Sequence, residues 1–280
     1  MKTRKIQSLN WHITDRCNYK CKFCYVQDLQ CSMADIKNCE SILSQLQATK
    51  TDYMDIQKIN FVGGEPLLHP NLMDFVKMSH EMGFVTSIVT NGSLLNEKNI
   101  DEYAPYLDWI GISVDSADEN IETEIGRGRG QHVAHSVNLA QLIHEYGIKL
   151  KVNTTVTRLN YIENMHSLIQ ELDPHRWKVF QMLHIKGQND SCLEKLAIID
   201  NEFSIFKNLN ENITLRDGVK PTFEYCNDMR SSYVILDPDG KVLCNQTGEY
   251  VAYTLDDLFE KPEQIIDVDK YITRGALGGI

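Results

Sequence analysis

Six short runs rich in Ile, Val, Phe and Trp recur along the first two thirds of the chain, at 9–14, 58–62, 86–90, 109–114, 150–156 and 177–183. They show little strict alternation, which is the pattern of strands covered on both faces of a parallel sheet. The stretches between them carry apolar residues at helical spacing. Segment 33–47 places Ile36, Ile42, Leu43 and Leu46 on one face, and segment 132–146 does the same with Val133, Val137, Leu139, Leu142 and Ile143. Pro70-Asn71 and Asn160-Tyr161 read as helix starts, Asn96 as an N-cap, and Gly83 and Gly147 as helix stops. This alternation predicts an α/β fold, a partial (βα)6 parallel barrel. The rhythm changes after residue 183. Segment 185–195 is polar and loop-like, 200–209 reads as a helix, and 232–236 and 241–245 flank the turn Asp237-Pro238-Asp239-Gly240, which predicts a hairpin. The expected organisation is a core over 1–220 and a C-terminal extension over 221–280.

Composition narrows the function. Of the 280 residues, 42% are hydrophobic and 24% charged, which excludes disordered and collagen-like chains. The net charge of −11 argues against duplex nucleic acid, whose surface demands a basic footprint, yet leaves room for a small anion in a locally positive pocket. No stretch approaches the roughly 20 apolar residues that span a bilayer. The beginning, Met1-Lys2-Thr3-Arg4-Lys5, is followed by no apolar signal region. A soluble cytoplasmic protein without membrane contact is expected. In a reducing compartment its eight cysteines call for a chemical role rather than a disulfide framework.

Parallel barrels gather their chemistry at the C-terminal ends of the strands. Asp15-Arg16-Cys17 follows the first strand and Gly63-Gly64-Glu65-Pro66 the second. Asn91-Gly92-Ser93 follows the third, and the fourth carries Ser113 and ends at Asp115-Ser116. Lys151, Asn153 and Thr155 lie on the fifth strand, Lys178 and Gln181 on the sixth. Cys17, Cys21 and Cys24, spaced C-x3-C-x2-C, can hold one soft metal centre. Zinc would want a fourth ligand, for which Cys31 is nearest, whereas three cysteines on a [4Fe–4S] cluster leave one iron open to a substrate or cofactor. Spacing alone leaves both readings standing. Lysines inside buried strands are costly unless paired, so an anionic ligand accounts for Lys58, Lys151 and Lys178; the alternative is that each snorkels to water. The loop Gly126-Arg127-Gly128-Arg129-Gly130 is either an anion-binding loop or, for Arg129, plain surface.

The segment Cys17-Asn18-Tyr19-Lys20-Cys21-Lys22-Phe23-Cys24-Tyr25 resembles the cluster loop of the radical S-adenosylmethionine (radical SAM) superfamily, with an aromatic residue before the third cysteine. Gly63-Gly64-Glu65-Pro66 is similar to the turn that contacts the SAM amino group in that superfamily. A narrower likeness follows from Asn10-Trp11-His12-Ile13-Thr14, Lys58-Ile59-Asn60 and Arg176-Trp177-Lys178-Val179-Phe180-Gln181, and it runs over about 8–245. These stretches resemble the viperin-like nucleotide dehydratases. Such enzymes convert a ribonucleoside triphosphate to its 3′-deoxy-3′,4′-didehydro analogue, which terminates viral RNA synthesis.

The resemblance implies a set of roles. Cys17, Cys21 and Cys24 would ligate a [4Fe–4S] cluster. Gly64, Glu65, Ser113, Arg127 and Asn153 would surround SAM, with Glu65 offering acceptors to its ammonium. Asn10, His12, Lys58, Asn60, Lys151, Arg176, Lys178 and Tyr233 would line the nucleotide site, and Tyr233 is also the candidate catalytic residue. An electron donor such as a flavodoxin or ferredoxin is implied. Two departures stand out: the membrane-anchoring amphipathic helix of eukaryotic members is absent, and their C-terminal Arg-Gly-Gly-Lys is replaced by Arg274-Gly275-Ala276-Leu277-Gly278-Gly279. A microbial, soluble homologue is expected. The alternatives are a GTP cyclase of molybdenum-cofactor synthesis, a peptide-modifying radical SAM enzyme, and a zinc protein that merely keeps the loop. The first two require further C-terminal cysteines, which do not follow Cys244.

Overall fold

The computed structural model describes residues 5–27 and 33–274. The first seven strands described run parallel: β1 (Ile6–His12), β2 (Met54–Val62), β3 (Val85–Thr90), β4 (Trp109–Ser113), β5 (Lys149–Val156), β6 (Arg176–Gln181) and β7 (Thr222–Glu224). Between them lie the helices α1 (Ile36–Ala48), α2 (Leu72–Glu81), α3 (Glu97–Tyr103), α4 (Glu119–Ile125), α5 (His132–Glu145), α6 (His166–Leu172), α7 (Leu193–Leu196) and α8 (Asp200–Asn210). The expected hairpin is present as β8 (Ile235–Leu236) and β9 (Val242–Cys244), followed by β10 (Val251–Tyr253). All ten strands form one open sheet in the order β10-β9-β8-β1-β2-β3-β4-β5-β6-β7, so the barrel is partial as expected.

The six expected strands are all found, with ends shifted by a few residues. Besides β10, two additions were not foreseen: β7 extends the parallel sheet beyond β6, and β8 pairs parallel with β1, placing Ile235 beside Asn10. Both are too short, at three and two residues, to show a period. One expected helix start was wrong. Asn160 is buried in a turn ahead of α6, where its amide donates to the carbonyls of Asp115 and Thr155 and its oxygen accepts from the Thr157 amide. Asn96 is the cap expected of it, with a reciprocal bond from Asn99.

Core side chains occupy the space between sheet and helices. Trp11 lies flat against Phe75 of α2 at 6.2 Å, and its indole donates to the Asp237 carbonyl of the C-terminal segment. Trp177 is likewise buried and donates to Thr154 Oγ1. With apolar residues packed outward, the other face of each strand is left for polar side chains.

Candidate active site

Side chains two apart on a strand share a face. The inner face of the sheet therefore collects Asn10 and His12 from β1, Lys58 and Asn60 from β2, Lys151 and Asn153 from β5, and Arg176 and Lys178 from β6. Register aligns them into rows: Asn10 stands beside Asn60, Ser113 beside Asn153, Lys151 beside Arg176, and Asn153 beside Lys178. All line one cavity of about 660 Å³, together with Tyr233 and Arg127. Gly111 on β4 faces Lys151; a Cβ there would lie 2.9 Å from Lys151 Cε, so the missing side chain makes room for the lysine.

Cys17, Cys21 and Cys24 occupy the loop after β1 and open onto the same cavity. Backbone bonds hold this loop from behind, Lys20 N donating to Gly126 O and Lys22 N to Ile125 O. Asn91 Nδ2 donates to Asn18 Oδ1 at 2.8 Å, and Asn189 Nδ2 to Phe23 O at 2.9 Å. Burial pushes the Cys21 thiol up to about 12 and raises Cys17 and Cys24 as well. Thiols so placed become thiolates when a metal binds them directly. Among the described residues no three His, Cys, Asp or Glu side chains converge as they would around a single metal ion. Cys31, the alternative fourth ligand, lies outside the described residues.

Gly126 ends α4 with φ of +90°, and a Cβ there would fall 2.2 Å from Lys20 O. Gly126→Ala should therefore displace the cysteine loop. The expected outcome is a loss of about 2 kcal/mol or more in thermal or denaturant unfolding, with poor retention of iron; an unchanged melting temperature would count against this close packing.

The Gly63-Gly64-Glu65-Pro66 turn approaches the chain just before Cys17. A Cβ on Gly64 would sit 2.3 Å from Arg16 O, and the amides of Gly64 and Glu65 donate to Thr14 O and Arg16 O. Gly64 lies on the cavity wall. The Glu65 carboxylate, which the resemblance sets beside the SAM ammonium, is held by partners within the protein. It is fully buried, Oε1 accepts from Thr90 Oγ1 at 2.6 Å and from Leu67 N, and Oε2 accepts from Asn91 N. Glu65 thus braces the turn against the end of β3, and its carboxylate does not face the cavity.

Arg127 reaches inward from the glycine-rich loop and its Nε meets Asp115 Oδ2 at 2.5 Å, with Glu122 Oε2 at 3.8 Å. Arg129 is exposed, as its surface reading holds. On the opposite wall the cations crowd one another. Lys58 lies 4.4 Å over the Trp109 ring; burial and then Lys151 and Arg176 lower it to about 6. Burial, then Lys178 and Arg176, lower Lys151 to about 7. Burial also drops His12 to about 4, so its imidazole is neutral at neutral pH. His12 Nδ1, Asn60 Oδ1 and Asn153 Oδ1 are buried on this wall without a hydrogen-bond partner among the described residues. Buried polar atoms are seldom left so, and a polar ligand would satisfy them.

Two residues were not singled out by sequence. Glu224 of β7 pairs with Lys178 Nζ at 2.5 Å, and Arg274 stacks its guanidinium 3.5 Å from the centre of the Tyr233 ring. Arg274 entered the sequence reading only as part of a motif departure, and Glu224 sits in a strand too short to be seen. Cys39 and Cys192 are buried. No helix among the described residues is long and apolar enough to cross a membrane.

Known proteins agree with this geometry. A family profile described as the radical SAM superfamily matches residues 11–172. A protein of Thermoplasmatales archaeon (strain ISO4-H5) named S-adenosylmethionine-dependent nucleotide dehydratase is 36% identical over 275 residues, covering 98% of this chain and 96% of its own. A relative of the same name from Lacinutrix mariniflava is 35% identical over 98% of this chain, which spans 58% of that longer protein. Among solved structures, Streptococcus suis SuiB bound to S-adenosylmethionine shares the fold, with a TM-score of 0.68 at 18% identity over 97% of this chain and 68% of its own. The three-cysteine loop, the parallel sheet and these likenesses converge: the chain belongs to the radical SAM superfamily, whose members use a [4Fe–4S] cluster and SAM, and within it to the S-adenosylmethionine-dependent nucleotide dehydratases.

Proposed function

We propose that this enzyme dehydrates a ribonucleoside triphosphate to its 3′-deoxy-3′,4′-didehydro analogue, an antiviral chain terminator. The observation that carries the reading is one cavity with three cysteines at one end and Lys58, Lys151, Arg176 and Lys178 on its wall. A triphosphate is among the few small ligands with enough negative charge to match that wall, through charge-assisted hydrogen bonds. The names of the relatives point the same way.

Cys17, Cys21 and Cys24 would hold the cluster, and Gly64, Ser113, Arg127 and Asn153 would surround SAM, with Glu65 bracing the turn. Bound there, the cluster and SAM would supply radical chemistry able to remove one hydrogen atom from the substrate. The protein then has to position a single C–H bond and keep water from the site. Asn10, His12, Asn60 and Lys58 face the nucleoside, while Lys151, Arg176 and Lys178 hold phosphate. Loss of the 3′-hydroxyl as water needs a proton. Lys178 Nζ, which donates to Tyr233 Oη at 3.1 Å, is the charged donor on that wall. Tyr233 keeps its own proton, since burial raises its phenol well above the usual range, and it donates that proton to Glu224 Oε2 at 2.6 Å. Tyr233 therefore acts by positioning the ribose. The extension 221–280 contributes to the substrate site through Tyr233. A flavodoxin or ferredoxin in the cytoplasm would deliver electrons.

The test is a panel of nucleotides and peptides scored for stimulated 5′-deoxyadenosine formation. A nucleoside triphosphate is expected to stimulate, and monophosphates and peptides are not. Lys151→Ala and Lys178→Ala should each raise the KM for nucleotide about tenfold or more and that for SAM less than about twofold. Unchanged nucleotide KM in both variants would remove the phosphate assignment.

A further inference from the structure

Behind the cation wall sits one acid. Glu224 on β7 is fully buried and does not line the cavity. Its Oε1 lies 2.5 Å from Lys178 Nζ and 3.9 Å from Arg274 Nη1, and its Oε2 accepts from Tyr233 Oη at 2.6 Å. Arg274 also donates through Nε to Ser232 O at 2.8 Å. It follows the helix Val268–Thr273, which Tyr271 ties to β1 through its hydroxyl and the backbone of Gln7 and Ser8. A single carboxylate thus touches a strand lysine, the ribose-side tyrosine and the arginine of the C-terminal segment. We propose that Glu224 is the positioning residue of the phosphate wall, keeping Lys178 charged and holding Tyr233 and Arg274 in place for an incoming polyphosphate. This rests on the nucleotide reading of the cavity.

The charges around Lys178 explain why a carboxylate is needed there. Arg176 shares its strand, Lys151 faces it from β5, and Arg274 approaches from the C-terminal segment; Tyr25 of the cysteine loop and Tyr233 are the neutral titratable groups nearby. An ammonium buried among three other cations sheds its proton unless an anion is bound to it. Even with Glu224 in contact, burial holds Lys178 below its usual value. Burial alone would raise Glu224, yet Lys178 and Arg274 outweigh it and hold the carboxyl below its usual range, so it stays ionised. Removing the carboxylate charge leaves Lys178 to shed its proton in the empty site and to recover it when phosphate binds. Binding then consumes a proton, and its affinity falls as pH rises.

Glu224→Gln keeps the shape and an acceptor for Tyr233 but removes the charge. ATP, CTP, GTP and UTP are titrated separately into the reconstituted wild-type enzyme by calorimetry, and the tightest of them is taken to the variant. Measurements at about pH 8 and about pH 6.5, each in buffers of different ionisation enthalpy, give the Kd and the protons taken up. At the higher pH the variant is expected to bind about tenfold more weakly and to take up about one more proton than wild type, with the loss shrinking to about threefold at the lower pH. SAM affinity should not change. A purely structural defect would weaken binding equally at both pH values with the same proton uptake, and that result would overturn the proposal. If no triphosphate binds the wild type, the nucleotide reading itself fails and the proposal with it. Should Glu224→Gln not fold, the double variant with Lys178→Gln removes both members of the lysine–glutamate pair and leaves Arg274 its bond to Ser232 O. It should bind nucleotide as Lys178→Gln alone does, and a further loss beyond about threefold would contradict action through Lys178.

Discussion

Cys17→Ala, Cys21→Ala and Cys24→Ala are each expected to lose the cluster and all SAM cleavage. Three ligands on a four-iron cluster leave none to spare, because the fourth iron must stay open for the cofactor. Among the described residues the other cysteines are Cys39, Cys192, Cys226 and Cys244; Cys192 lines the same cavity, but its Sγ donates to Asn189 O. Cys226 Sγ donates to Met182 O and Cys244 Sγ to Ile265 O, while Cys39 lies on the buried face of α1. The readout is iron and acid-labile sulfide after anaerobic reconstitution, together with 5′-deoxyadenosine formed. Cys39→Ala serves as the control and should keep both. A full cluster in Cys21→Ala would overturn the assignment, and about one zinc per wild-type chain without sulfide would restore the zinc reading.

Much of this site was legible because its residues obey two constraints at once. Parallel strands covered by helices must be apolar on the outer face, so Trp11, Ile59, Leu150 and Trp177 marked the strands. The polar residues interrupting them, Asn10, Lys58, Lys151 and Lys178, called for either a ligand or, for the lysines, a path to water, and the structure brings them to one cavity. The motif at Gly63-Gly64-Glu65-Pro66 was found by pattern, but the direction of the Glu65 side chain was not. Its partners, Thr90 and Asn91, lie 25 and 26 residues away at the end of another strand, and no local pattern reports such a contact. Glu224 and Arg274 escaped for the same reason: their meaning comes from Lys178 and Tyr233, and neither the three-residue strand that carries Glu224 nor the short helix before Arg274 reports such a contact locally.

The central claim concerns which hydrogen is removed. The inner wall would fix the ribose between the cysteine end of the cavity and the phosphate-binding cations, and selectivity for one C–H bond follows from that placement. On this proposal, abstraction at C4′ would leave a radical next to the C3′–O bond. Departure of the 3′-oxygen as water, with one proton supplied, and uptake of one electron from an external donor would then give the 3′,4′-alkene. The atoms would balance: the substrate would lose the C4′ hydrogen to 5′-deoxyadenosine and the hydroxyl to water.

The most direct measurement supplies the stimulating triphosphate deuterated at C4′ and, separately, at C3′, and reads deuterium in 5′-deoxyadenosine by mass spectrometry. The account predicts transfer from the C4′ label alone, with a product lighter than the unlabelled substrate by one water and its nucleobase unaltered. Transfer from C3′ would point to cyclase-type chemistry, and transfer from a peptide with none from any nucleotide would contradict the dehydratase reading.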